Sequence, residues 1–167
     1  MKIYSITLFL CCINTAIAAD GTINFTGNIT DAACTVDSSS ANQTVNLGTV
    51  SSQAFSSAGD SAAPTEFSIN LTACPVSVAT ASVTFDGASD SSNDQLLQLT
   101  SGSTAAGVGI GIYEADSSTI VPMHVSSVSQ PVATTATLNF IAKYVSTAAS
   151  VTAGTANGVA DFTVTYN

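Results

Sequence analysis

Apolar residues recur at every second position in most segments of this chain, and this period of two limits the possible folds more than any other feature. In the two clearest stretches the apolar positions are Ala136, Leu138, Phe140, Ala142 and Tyr144, and then Ala160, Phe162, Val164 and Tyr166. Successive side chains of a β-strand point to opposite faces, so this pattern predicts strands with one buried face. No stretch carries a sustained helical period.

Shorter stretches show the same alternation between segments of loop composition. Strands are predicted around the apolar residues of 44–47, 67–71, 83–85, 97–99 and 108–112, with a weaker, edge-like stretch at 120–128. Residues 51–63 and 86–94 have the composition of loops and turns. Glycines at 107, 109 and 111 predict a strand whose second face meets closely packed backbone, or else a twist point. Seven to nine short strands of this kind indicate an all-β sandwich.

The first 18 residues have the three parts of a secretory signal. They comprise a basic start at Lys2, an apolar run over residues 6–13 and the small-residue exit Ala16-Ile17-Ala18. The apolar run is too short to span a bilayer. Cleavage after Ala18 or Ala19 therefore predicts an exported chain with a single domain.

Cys34 and Cys74 are the two cysteines that remain after the signal is removed. Exported proteins mature in oxidising compartments, so the sequence predicts a disulfide between these two residues. The alternative is a metal ligand or a nucleophilic thiol. It lacks support, because His124 is the only histidine and no cysteine pair has the spacing of a metal site.

The exported chain is strongly acidic, with eleven carboxylates against a single basic residue, Lys143. Binding to nucleic acid or to an anionic membrane depends on Lys and Arg, so neither partner is expected. The charge is interpreted as a source of solubility and of repulsion between copies. A specific cationic ligand is the alternative.

No residue pattern indicates catalysis, a metal or a cofactor. A serine-type triad would need His124, which lies in a stretch without any motif. The turn DGASDSSND at 86–94 is rich in carboxylates but lacks the ligand spacing of a calcium loop. Nothing singles out a glycosidase pair among the eleven carboxylates. We therefore expect a protein that is not an enzyme.

The stretch at 19–30 also alternates, but it has nothing nearby in sequence to pair with. Its apolar or glycine positions are Gly21, Ile23, Phe25, Gly27 and Ile29, with polar residues between them. After signal cleavage it becomes the free end of the chain. The pattern predicts an N-terminal arm that packs loosely against its own domain and completes a sheet elsewhere.

Four segments together resemble the major pilin subunits of chaperone–usher fimbriae of the type 1 kind. They are GTINFTGNITDAACTVD, FSINLTAC followed by VTFDG, AAGVGIGIYEADSSTIVP and the C-terminal FIAKYVSTAASVTAGTANGVADFTVTYN. Tyr166 is next to last and Gly154 is fourteenth from the end, where that family has its Tyr and Gly. The resemblance covers the whole exported chain.

The resemblance implies an incomplete immunoglobulin-like sandwich at 31–167 that lacks its last strand and leaves a groove open beside its C-terminal strand. It further implies that a periplasmic chaperone lends a strand to this groove. At the outer-membrane usher, the 19–30 arm of the next subunit would replace it by donor-strand exchange.

The resemblance also assigns roles to individual residues. The donor positions would be Ile23, Phe25, Gly27 and Ile29, with Gly27 where the groove is too shallow for a side chain. The strand beside the groove, which the chaperone would contact, would comprise Gly154, Phe162, Val164, Tyr166 and Asn167. The alternative for Phe162, Val164 and Tyr166 is an ordinary core stripe that needs no partner. The Asn167 carboxylate would meet a basic pair on the chaperone.

The sequence thus predicts a structural subunit, the major one, of an extracellular fimbria that supports cell adhesion. Its partners would be identical or related pilins, the chaperone and the usher. Three alternatives stay open: a minor or adaptor subunit, a self-sufficient secreted β-sandwich that binds a ligand, and a small hydrolase that depends on His124.

Overall fold

In the computed structural model, the residues described are 23–27 and 33–167. The strands are β1 (Thr35–Val36), β2 (Ser61–Thr72), β3 (Thr80–Asp86), β4 (Val108–Glu114), β5 (Gln130–Pro131), β6 (Ala136–Ser146) and β7 (Asp161–Tyr166). Helical structure in these ranges is confined to α1 (Ser38–Ala41) and a 3₁₀ turn (Ser52–Ala54). No helix of this part of the chain is long and apolar enough to cross a membrane. The predicted all-β class is confirmed.

Two antiparallel sheets form a sandwich. The four-stranded sheet has the order β1-β2-β6-β4 and the three-stranded sheet has the order β5-β3-β7. The longest pairing joins β2 to β6 and brings Phe67 opposite Phe140. In the smaller sheet, β3 pairs with β7 from Ala81 opposite Tyr166 to Asp86 opposite Asp161. Strand β7 is therefore an edge of the smaller sheet.

Three phenylalanines join the two sheets at the centre of the core. The ring of Phe85 on β3 lies 5.1 Å from that of Phe140 and 6.0 Å from that of Phe67, measured between centroids, and both contacts are edge-to-face. Such pairs contribute about 0.5–1.5 kcal/mol beyond the area that they bury. The cluster fixes the spacing of the sheets at the point where their inward faces meet.

The predicted disulfide is present between Cys34 and Cys74, and both residues are buried. Cys34 lies directly before β1, and Cys74 lies two residues after the end of β2. The adjacent pairing of Thr35 with Thr72 continues the same connection through the backbone. The disulfide thus holds β1 as the outer strand of the larger sheet.

Five of the predicted stretches form strands, namely β2, β3, β4, β6 and β7, whereas three predicted stretches do not form a strand ladder. Residues 44–47 form no ladder, although Val45 and Leu47 still face the core as half-buried residues. Residues 97–99 and 120–128 make only isolated bridges, such as Leu97 with Ile110. Strand β2 begins at Ser61, inside the stretch predicted to be a loop. Alternation reports a buried face, but a ladder also needs a partner strand at the right distance.

Glycines allow close packing at two places. On β4, an added Cβ at Gly109 would lie 3.1 Å from the Cβ of Leu96, and one at Gly111 would lie 2.8 Å from the Tyr113 ring. The predicted close packing behind this strand is confirmed. At Gly154, an added Cβ would lie 2.5 Å from the backbone N of Ala105. Gly154 thus lets the segment before β7 approach residues 104–105.

We predict that Gly154→Ala lowers the free energy of unfolding by about 1–3 kcal/mol, because the new methyl group meets backbone atoms that cannot rotate away. Gly102→Ala is the matched control, since a Cβ at Gly102 has nothing within 4 Å. Denaturant unfolding of both variants measures the difference. Equal stability of the two variants would contradict the packing role assigned to Gly154.

Candidate functional site

An open apolar groove of about 880 Å³ runs between the two sheets beside β7. Its floor is made by inward-facing side chains of both sheets and of the segment before β4. These residues are Phe67, Ile69, Phe85, Leu97, Ile110, Ile112, Ala142 and Tyr144. Apolar surface in contact with water is unfavourable by roughly 25 cal/mol per Å². The groove therefore favours an apolar occupant.

One wall of the groove is the free edge of the smaller sheet. Strand β7 pairs with β3 on one side, and residues 156–162 line the groove on the other. An edge strand presents a row of backbone N–H and C=O groups that can pair with another chain. This wall can therefore bind a segment through backbone hydrogen bonds.

The opposite wall is the irregular segment at 42–48. Val45 and Leu47 face the core, and Asn46 is exposed between them. Among the described residues, one backbone N–H of this segment donates a hydrogen bond, and its acceptor is a side chain of the same segment. The Gly48 N–H donates to Asn46 Oδ1 at 2.9 Å. The segment is thus strand-like in its side chains and lacks a ladder partner. The two walls together have the arrangement of a sandwich with one strand missing between them.

Tyr144 links the floor of the groove to the wall at 156–162. Its hydroxyl donates to the Ala156 carbonyl at 2.8 Å. Burial raises the pKa of Tyr144 above the ordinary value. The wall is therefore held in place by a side chain from β6.

The residues predicted for the C-terminal strand lie at different distances from the groove. Phe162 lines it, whereas Val164 and Tyr166 continue along the same inward face of β7 and pack half-buried on the core. Gly154 lies before β7, against residues 104–105. The backbone oxygen of Asn167 accepts from the N–H groups of Ala79 and Thr80, both at 2.8 Å.

The described part of the arm does not pack on its own domain. Ile23 and Phe25 are 79% and 90% exposed, and nothing lies within 4 Å of a Cβ added at Gly27. Residues 23–27 form no strand in this chain. They meet the expectation of loose packing, whereas Ile29, the fourth predicted donor position, lies outside the described residues.

The residues considered for catalysis or for calcium binding make hydrogen bonds within the fold. His124 Nδ1 lies 3.1 Å from Asp86 Oδ1, and both side chains are about half exposed. In the 86–94 turn, Asp90 Oδ1 accepts from the N–H groups of Ser92 and Asn93. Over the ranges 23–27 and 33–167, no three His, Cys, Asp or Glu residues are grouped so as to hold a metal ion.

The resemblance implies an open groove beside the C-terminal strand, but the sequence alone does not show which residues form its floor. Ile110, Ile112 and Tyr144 were predicted to face a core, but their role as the floor of an open groove depends on which strands become neighbours. Val45 and Leu47 were assigned to a strand, and the structure places them in a wall. The signal that could have found this wall is an alternating stretch with no partner in the same chain, which is also the signal of the arm.

Comparisons with known proteins agree with this geometry. The profile described as fimbrial protein matches residues 23–167. The fimbrial subunit type 1 of Salmonella typhimurium is 41% identical over 165 residues, with 90% of this chain and 89% of that protein covered. The probable major fimbrial subunit LpfA of Escherichia coli O157:H7 is 36% identical over 170 residues, with 98% and 95% covered.

Solved structures show the same fold. A Burkholderia pseudomallei antigen and type I fimbria protein superposes with a TM-score of 0.63 at 36% identity, covering 82% of this chain and 91% of that one. The P pilus rod subunit PapA superposes with a TM-score of 0.68 at 22% identity, covering 80% and 99%. At that identity the second likeness concerns the fold alone.

The all-β sandwich with an open edge, the profile match over residues 23–167 and the relatives at 36–41% identity lead to one conclusion. The chain belongs to the fimbrial protein family, as a structural pilus subunit rather than an enzyme.

Proposed function

We propose that this subunit polymerises by donor-strand exchange, in which the 19–30 arm of one copy fills the groove of the next. The observation that carries the proposal is the coexistence, in one chain, of an apolar groove beside a free strand edge and an exposed alternating segment. The groove needs a strand with apolar residues on one face. The arm has this alternation in sequence, and its described residues, 23–27, do not pack on their own domain.

The dimensions of the two parts are compatible. A strand rises about 3.3 Å per residue, so the nine residues 21–29 would span about 30 Å, the length of a full strand. Burying Ile23 and Phe25, which are largely exposed in the single chain, is favourable by about 1.5–3 kcal/mol each. Backbone hydrogen bonds to the β7 edge would add about 1 kcal/mol each. These gains offset the entropy lost when the arm is ordered and the loss of free diffusion.

The proposal extends to the partners and the route. A subunit with an open apolar groove would aggregate before assembly, so a periplasmic chaperone would cover the groove after export. At the outer-membrane usher, the arm of the next subunit would then replace the chaperone in the groove. The relative from Escherichia coli O157:H7 is named a probable major subunit, which supports the same role in a fibre that carries cell adhesion. A minor or adaptor subunit is the alternative.

Fibres sheared from the cell surface test the function. Donor-strand assembly predicts a ladder of multimers on SDS gels that collapses to the monomer on boiling, because each interface is a complete β-ladder with a buried apolar face. A major subunit would be the dominant chain in this material. Monomer alone without boiling would contradict strand exchange, and a trace amount of this chain would contradict the major role.

We predict that Gly27→Asn slows polymerisation by about tenfold or more, because a side chain at this position would have to enter the groove where it is shallow. Gly27 has open space around it in its own chain, so the substitution leaves the isolated subunit undisturbed. Thr26→Asn is the matched control, since residue 26 lies on the polar face of the arm. The measurement is the rate of multimer formation from chaperone-bound subunits. Normal fibres from Gly27→Asn would contradict the placement of this residue.

A further inference from the structure

Glu114 is the one buried ionisable side chain among the described residues outside the disulfide, at 9% exposure. It is the last residue of β4 and points to the same inward side as Ile110 and Ile112. Its Oε1 accepts from the backbone N–H of Val128 at 2.7 Å. Burying a carboxylate is unfavourable unless hydrogen bonds replace water, and a bond to an ionised acceptor is roughly twice as strong as a neutral one. This contact is therefore a specific feature of the fold.

The contact joins the larger sheet to the edge of the smaller sheet that lies opposite β7. Strand β4 ends the larger sheet, and β5, two residues beyond Val128, ends the smaller sheet opposite to β7. The smaller sheet thus has one edge that is open, at β7, and one edge that Glu114 ties to the other sheet.

Most backbone N–H groups at this tied edge are bonded or absent, and only those of Ser126 and Ser129 lack a partner among the described residues. Pro122 and Pro131 have no N–H. The N–H groups that donate to carbonyls of the same chain are those of Met123, His124, Val125, Ser127 and Val132. The Val128 N–H would otherwise remain a free donor, next to the exposed side chains of Val125 and Val128, at 50% and 62% exposure. An unpaired edge with exposed valines is a site for unwanted strand addition.

We propose that Glu114 biases the direction of strand addition: by drawing the Val128 N–H inward, it withdraws the donor between Ser126 and Ser129 from the β5 edge, so that the β7 edge of this sheet is the better template for the added strand. Subunits then join end to end through the groove, and fibres do not associate side by side through the 122–131 edge. The inference rests on the proposed function in one respect, that the β7 edge accepts a strand.

The test compares Glu114→Leu, which removes the acceptor, with Glu114→Gln, which keeps an oxygen at the same reach. Glu66→Leu and Glu66→Gln are matched controls, because Glu66 is exposed on β2. Three quantities are measured on assembled protein: amide hydrogen exchange in residues 122–131, side-by-side association by electron microscopy, and the length of the SDS-resistant ladder.

We expect Glu114→Leu to raise exchange in 122–131 by about tenfold, since losing a charge-assisted hydrogen bond costs about that factor in local opening. Its fibres should form lateral bundles while the ladder keeps its length. Glu114→Gln should raise exchange by about threefold, because a neutral acceptor is weaker, and the Glu66 variants should behave as the unsubstituted chain.

The proposal is overturned if exchange in 122–131 is unchanged in both Glu114 variants, if faster exchange brings no bundling, or if Glu66→Leu bundles equally. Should Glu114→Leu fail to fold, Glu114→Gln decides by its exchange rate and its lateral bundling together. The absence of a ladder from the unsubstituted chain would refute donor-strand assembly, whereas the exchange data would still report on Glu114.

Discussion

The smaller sheet ends at β7 while the apolar floor of the sandwich continues beyond it, and the rest of the structure depends on this mismatch. The larger sheet supplies inward side chains for a core that one more strand would cover. Without that strand, Phe67, Ile110 and Tyr144 line a groove instead of a closed interior. The backbone edge of β7 and the unpaired segment at 42–48 bound the same space. A strand is the one element that satisfies the apolar floor and the backbone edge together.

The rest of the fold makes an open groove possible without collapse. The three phenylalanines in edge-to-face contact set the spacing of the sheets at the centre, and the Cys34–Cys74 disulfide fixes β1 beside β2. Tyr144 holds the wall at Ala156, and Gly154 allows the preceding segment to dock on residues 104–105. These contacts form a rigid frame around a vacant strand position. Such a frame suits a subunit that receives its last strand from another molecule, as the proposed function requires.

The sequence predicted most of the strands, because alternation records which face is buried. This held for β6 and β7, whose partners are in the same chain. It failed at 44–47, where Val45 and Leu47 face the core as predicted, half-buried, but no strand of the same chain lies alongside. The groove floor and the Glu114–Val128 contact were not predictable in the same way. They depend on which distant segments meet, and a single glutamate at the end of an apolar strand gives no sign of its partner.

The most direct test of the account is to place the arm where the missing strand belongs. A chain of residues 31–167 is extended by a flexible linker and residues 20–30, and it is compared with 31–167 alone and with a version whose added segment has the same composition without alternation. The account predicts that the matched extension folds as a monomer and unfolds cooperatively, with a midpoint higher by about 10 °C or more than either comparison. Equal midpoints for the three chains would show that the sandwich is complete by itself.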